Sequence, residues 1–183
     1  MPDHRPLEDK PGSGTAIGKL DDLDESAGSA GELIRLVVFA LGGEWFALPL
    51  DSVSEISRVP PVTPVPGVEG FVVGLTNLRG NVLAVLDMKT LFGFPDEIEG
   101  PSSTQRMLTV SSASVSAAIL VDRVEGVVTV DQEEIEPPLP GTSEAIRHWM
   151  TGHFRRDGRM VAILDAEIVQ GLRERLEAAE RAG

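Results

Sequence analysis

The chain has 183 residues and no cysteine, and its 29 acidic side chains outnumber 16 basic ones for a net charge of −13. The missing thiols exclude disulfides, thiolate catalysis and cysteine-ligated metals, and so acidic a chain repels a phosphate backbone, which argues against nucleic acid as a partner. The length suits one domain, or two small lobes on a shared core. With 42% hydrophobic but only 4% aromatic residues, that core has to be aliphatic.

Residues 1–33 are rich in Asp, Glu, Gly, Ser and Pro. They bury too little apolar surface to offset the entropy of ordering, so the sequence predicts a disordered acidic tail. No run approaches the roughly 20 apolar residues that span a bilayer, and no signal-peptide segment opens the chain, so a cytoplasmic protein is expected. The folded domain is expected over 34–178, with 179–183 as a C-terminal end.

From Ile34 the texture changes. Residues 36–41 and 44–50 are β-type runs around Gly42-Gly43, a hairpin signal. Residues 53–58 alternate apolar and polar as a half-exposed strand does. The proline-rich stretch 60–66 fits neither helix nor central strand and reads as a surface crossing. Next comes the segment around which the rest is organised, GFVVGLTNLRGNVLAVLDMKTLFG, residues 70–93. Its apolar runs 71–75 and 82–86 have the content of buried strands, and Asn77-Leu78-Arg79-Gly80-Asn81 supplies the turn between them. Gly80 can take the positive φ such a turn asks for, which leaves Arg79 at the apex. Asp87 is placed to cap a short helical turn over 88–92, closed by Gly93.

Residues 96–104 read as a polar linker, 106–110 and 115–121 as a strand pair, and 124–130 as another strand. A second proline crossing follows at 136–142. A strand at 160–164 leads to Asp165, which caps a terminal helix whose Ile168, Leu172, Leu176 and Ala179 recur at helical spacing.

The two halves align with each other. A shift of 71 residues pairs Arg35 with Arg106, Ala47 with Ala118, Asp51 with Asp122 and Val53 with Val124. A shift of 78 pairs Gly74 with Gly152, Gly80 with Gly158, Ala84 with Ala162, Leu86 with Leu164, Asp87 with Asp165 and Gly93 with Gly171. Glycines mark backbone geometry, so the second set carries more weight, although two unrelated strand-turn-strand units can also align this well. A duplication gives each half about five strands. Five short antiparallel strands close most easily into a small barrel, so the expected fold is all-β: two five-stranded barrels packed together, with short helical turns and a C-terminal helix.

Chemistry-bearing motifs are few. Residues 12–19 imitate a phosphate loop, but Ser13 stands where the first glycine belongs and Leu20 follows Lys19. His148 and His153, five apart, share no face and lack carboxylates to complete a metal set, so both read as surface or crossing-loop residues. Asp51, Asp87, Asp122 and Asp165 follow apolar runs, where capping accounts for them. Glu133, Glu134 and Glu136 read as a solvated acidic loop, and residues 111–116 as a turn without a nucleophile-elbow pattern. A lone Arg in a turn is usually just solvated. Arg79, however, has Asp157 as its counterpart under the 78-residue shift, so one copy of the corner is cationic and the other anionic. That asymmetry suggests that a single copy is shown to a partner, with the guanidinium suited to carboxylates.

These residues carry a resemblance. Over about 36–172, the segments LVVFALGGEWFALPLDSVSEI, VPGVEGFVVGLTNLRGNVLAVLDMKTLFG, AAILVDRVEGVV and DGRMVAILD are similar to the CheW family of chemotaxis coupling proteins, the Gly-x-x-Asn-Leu-Arg-Gly corner at 74–80 most specifically. The resemblance implies two five-stranded SH3-like barrels and a non-enzymatic adaptor, without a cofactor, that joins the cytoplasmic tips of chemoreceptors to the histidine kinase CheA at receptor arrays under the membrane. It places receptor contact at the cleft between the barrels, on Val53, Glu55, Gly74 and Arg79, with Asn77 and Gly80 shaping the corner, and kinase contact on apolar barrel-end surface. The chain departs from the family pattern at Ala84, where proline is usual, and in the turn 111–116, where the family carries glycine. Two other readings stay open: the same fold in a chemosensory-like pathway for pili, gliding or development, and a ligand-binding or hydrolytic β-barrel, which would need buried titratable groups around a cavity.

Overall fold

The computed structural model describes residues 31–95 and 103–182, with side chains through residue 178. The expected tail over 1–30 and most of the linker at 96–104 lie outside the described residues. Strands β1 (Leu33–Leu41) and β2 (Glu44–Pro49) form the first hairpin, with Gly42 and Gly43 both at positive φ. A 3-10 turn, Leu50–Ser52, leads to β3 (Val53–Ser57), and the first proline crossing then reaches hairpin β4 (Val72–Leu78) and β5 (Asn81–Asp87). Asp87 Oδ1 accepts from the Lys89 amide at 2.9 Å and caps α1 (Met88–Phe92). The second half repeats the series: β6 (Arg106–Ser112), β7 (Val115–Val121), β8 (Arg123–Asp131), the turn α2 (Glu144–Arg147), β9 (Met150–Arg156) and β10 (Arg159–Leu164), then α3 (Ile168–Ala182). Asp165 Oδ1 accepts from the Glu167 amide at 2.9 Å, as Asp87 does in its own half.

The two five-stranded sheets run β8-β1-β2-β10-β9 and β3-β6-β7-β5-β4. This corrects the expectation that each half closes on itself. Hairpin β1–β2 joins three strands of the second half, and hairpin β6–β7 joins three strands of the first. Nor are the sheets wholly antiparallel, since β2 runs parallel to β10 and β5 to β7. A tight turn cannot connect parallel neighbours, so these pairs have to come from distant parts of the chain, and the exchange of hairpins supplies them.

The proline crossings draw the edges of each sheet together. After β3, the Thr63 amide donates to the Leu75 carbonyl on β4 at 2.8 Å and Leu75 donates back at 2.8 Å. After β8, Glu136 and His153 on β9 exchange the same two bonds, each 2.8 Å. Both seams require a glycine on the edge strand. A Cβ on Gly74 would stand 2.2 Å from the Thr63 carbonyl oxygen, and one on Gly152 would stand 2.8 Å from that of Glu136. The pairing of these glycines in the repeat thus reflects one shared geometry. Gly93 and Gly171 do not share theirs: Gly93 ends α1 at φ 74°, whereas Gly171 lies within α3 beneath the ring of Trp149.

Each sheet has its own interior, and a third core lies between them. Leu36, Val38, Ala47, Val128, Phe154 and Ile163 fill the first interior; Leu83, Val85, Met107 and Ala118 fill the second. Val37, Phe39, Leu41, Phe46 and Leu48 meet Leu86, Leu108, Val110, Ile119 and Val121 in the shared core, with Ile168, Val169 and Leu172 of α3 against it. Because both faces of β1 are covered from Leu36 on, residues 36–41 form a continuous apolar run instead of an alternation. Each such side chain, taken fully out of water, contributes roughly 1.5–3 kcal/mol.

Two expectations fail on burial. His153 is no surface residue: it is 2% exposed on β9, and its Nδ1 lies 3.0 Å from the Pro137 carbonyl, which only accepts, so Nδ1 carries the proton. The runs 71–75 and 82–86 are not buried throughout: Phe71, Leu83, Val85 and Leu86 are buried, whereas Val73, Leu75 and Val82 are exposed.

Candidate functional site

The turn between β4 and β5 is two residues long, closed by the pair Leu78 and Asn81, with Arg79 at φ 53° and Gly80 at φ 90°. Two consecutive positive φ angles define the mirror-image turn whose twist matches that of the flanking strands. Glycine accepts this without strain. Arginine does not, at a cost on the order of 1–2 kcal/mol. The bend is held from inside by Asn77, whose Oδ1 accepts from the Gly80 amide at 2.8 Å. The bend is thus tied by a side chain as well as by the strand pair, and Arg79 shares its positive φ with Ala113 and Asp157.

Arg79 Nη2 lies 3.1 Å from Glu55 Oε1, with the arginine side chain 79% exposed and the glutamate 24%. Glu55 belongs to β3 and Arg79 to the tip of β4, the two edge strands of the second sheet, so the ion pair bridges the seam that Thr63 and Leu75 close. An ion pair this open to water contributes about 0.2–1 kcal/mol. Its stronger effect is to aim the guanidinium while leaving most of its donors free for a planar acceptor.

Four of the six predicted residues, Glu55, Asn77, Arg79 and Gly80, thus assemble into one exposed corner. Val53 stands two residues before Glu55 on β3 and is half-buried against the shared core. Gly74 is buried in the seam, where the Thr63 carbonyl accounts for the glycine. The sequence reading missed the apolar ground beside the corner: Val82, 66% exposed, pairs directly with Asn77, and Ile56, Val73 and Leu75 are also exposed on β3 and β4. Strand alternation marks these positions once the inward set, Thr76, Leu83 and Val85, is known. Among the described residues, no three His, Asp or Glu side chains stand close enough to hold a metal ion.

The family model of the CheW-like domain matches residues 35–171. The chain belongs to the CheW-like domain family. The chemotaxis protein CheW of Rhizobium meliloti is 30% identical over 145 residues, covering 79% of this chain and 92% of the relative. Protein PilI of Pseudomonas aeruginosa is 30% identical over 119 residues, 65% of this chain and 66% of its own. The crystal structure of the scaffolding protein TtCheW from Thermoanaerobacter tengcongensis superposes with a TM-score of 0.65 at 30% identity, covering 73% of this chain and 89% of that one. The CheW-like match takes in both sheets and the whole Arg79 corner, and it begins just after the start of β1.

Proposed function

We infer that this protein is a non-enzymatic coupling adaptor that joins chemoreceptor cytoplasmic tips to a CheA-type histidine kinase. The observation that carries the reading is the Arg79 corner, a strained, exposed guanidinium held by Glu55 and Asn77 on a CheW-like body. Strain kept at a surface position points to a role outside the fold itself. The exposed Ile56, Leu75 and Val82 nearby supply the apolar contact that an interface anchored on an arginine needs. Val53 and Gly74 support the surface from beneath, and kinase contact falls on other surface.

Arg79→Glu tests the site. Purified variant and wild-type protein are titrated against a receptor cytoplasmic fragment, with melting followed in parallel. Binding is expected to weaken at least about 30-fold, the effect of losing a hot-spot arginine, while the melting temperature stays within about 4 °C. Unchanged affinity would refute the assignment. The likeness to PilI supports a second reading in which the adaptor serves a chemosensory-like circuit with another output; preferential binding to receptors of such a circuit selects it.

A further inference from the structure

The chain is strongly acidic, yet one end of the first sheet is basic. Arg123 opens β8, Arg156 ends β9 and Arg159 opens β10, and all three are exposed. Strand register turns them toward Trp45, because Ala40 pairs with both Arg123 and Trp45, Val161 pairs with Trp45, and Arg159, two residues before Val161, pairs with Arg156. The guanidinium carbons of Arg123 and Arg159 lie 4.7 and 4.9 Å from the Trp45 ring centre, a stack that fixes both side chains without neutralising them. Among the described residues Arg123 and Arg159 have no carboxylate within 4.0 Å, and Arg156 has only Asp157 at 3.7 Å. The opposite end of the sheet is acidic. Strand β8 finishes at Asp131, whose Oδ1 accepts from the Glu133 amide at 3.0 Å. Glu133 and Glu134 are exposed and, among the described residues, have no Lys or Arg within 4.0 Å.

Strand β8 joins the two ends and lies at the edge of its sheet, with Val127 at its midpoint 53% exposed. Laid antiparallel on a copy of itself about Val127, its sequence RVEGVVTVD is self-complementary. Arg123 meets Asp131, Glu125 meets Thr129, and Val127 meets Val127, while Glu133 and Glu134 of the second copy reach the arginine rim. Arg123 and Asp131 stand eight residues apart on β8, roughly 26 Å, so one molecule cannot bring its own acidic turn to its own rim. We propose that β8 and the Trp45 rim form a two-fold docking surface for a second copy of this chain. Each contact then occurs twice, as an interface between identical surfaces requires. The ladder between β1 and β8 shifts register beside Gly126, so side chains carry the contact, with Val127 covered at the centre and ion pairs setting the register at both ends. The net charge of −13 sets copies against one another at long range. At about 0.15 M salt the Debye length is about 8 Å, which screens that repulsion while charges in direct contact keep their attraction.

Sedimentation velocity of the full-length protein over a concentration series is the test. In about 0.15 M salt a monomer–dimer equilibrium is expected, and it should weaken at least about tenfold in 1 M salt, where the Debye length is only about 3 Å. Val127→Glu sets two like charges face to face on the axis and should leave only monomer, with the melting temperature unchanged because the side chain is exposed. Chains carrying R123Q, R156Q and R159Q, or E133Q and E134Q, should each associate at least about tenfold more weakly than wild type. An equimolar mixture of those two variants should recover part of the loss, since the mixed dimer keeps one intact rim-to-turn contact and the dimer of either variant alone keeps none. That recovery also shows that both variants are folded. A monomeric wild type, a dimer indifferent to Val127→Glu, or a mixture no tighter than its components would overturn the proposal. Growth of the wild type past a dimer would overturn it as well, in favour of head-to-tail assembly.

Discussion

Arg79 and Gly80 sit at neighbouring points of one turn and do different things. Gly80 meets the backbone requirement, and Arg79 bears strain for the sake of where its side chain ends up. Turn chemistry made Asn77 and Gly80 legible in the sequence, since Asn and Gly in a polar corner between two apolar runs mark a bend, although the tight two-residue loop at Arg79 and Gly80 is seen only in the strand register. The Glu55 partner was not legible from spacing, because 24 residues separate it from Arg79 and only closure of the seam brings them together. Exchanging Glu55 for Gln should change folding stability by less than about 1 kcal/mol, as an exposed pair allows, yet weaken receptor-fragment binding roughly three- to tenfold by releasing the guanidinium. Isothermal titration alongside thermal melting separates the two effects. Full retention of affinity would show that the pair does not orient Arg79.

At the scale of elements, the seams decide what can change. Adding a methyl to Gly74 forces the crossing off β4, since the obstacle is the Thr63 backbone and not a side chain that can swing away. Gly74→Ala should therefore cost about 2–4 kcal/mol, a fall of roughly 4–16 °C in melting temperature for a protein of this size. Gly152→Ala should cost less, because its nearest backbone obstacle is farther, 2.8 Å against 2.2 Å. Equal stability of wild type and Gly74→Ala would mean that the seam is not a tight element. Nine of the ten strands could be read in advance because apolar runs and turn residues are local signals, whereas β9 (Met150–Arg156) was not named and the two seam glycines stood out only through the repeat. Their pairing could not: nothing in a sequence repeat says whether two halves stand side by side or trade hairpins, and here they trade. The same limit hid His153, whose burial depends on a crossing that folds over it from 16 residues away.

At the largest scale, the shared core packs the two sheets of the described residues into one body. Phe39, Phe46, Leu108 and Ile119, contributed by different sheets, lie in a single cluster with α3 against it. Among the described residues the buried core begins at Leu36, so removing residues 1–31 should shift the melting temperature by only a few degrees, followed by calorimetry; a large fall would place the stretch inside the cooperative unit. The proposed adaptor would gain strength by engaging receptor and kinase at once. Co-sedimentation of receptor cytoplasmic fragments with CheA from the same source, with and without this protein, tests that most directly. The kinase should pellet with receptors only when the protein is present and should stay in solution when Arg79→Glu replaces it. Equal pelleting of the kinase in all three mixtures would contradict the account.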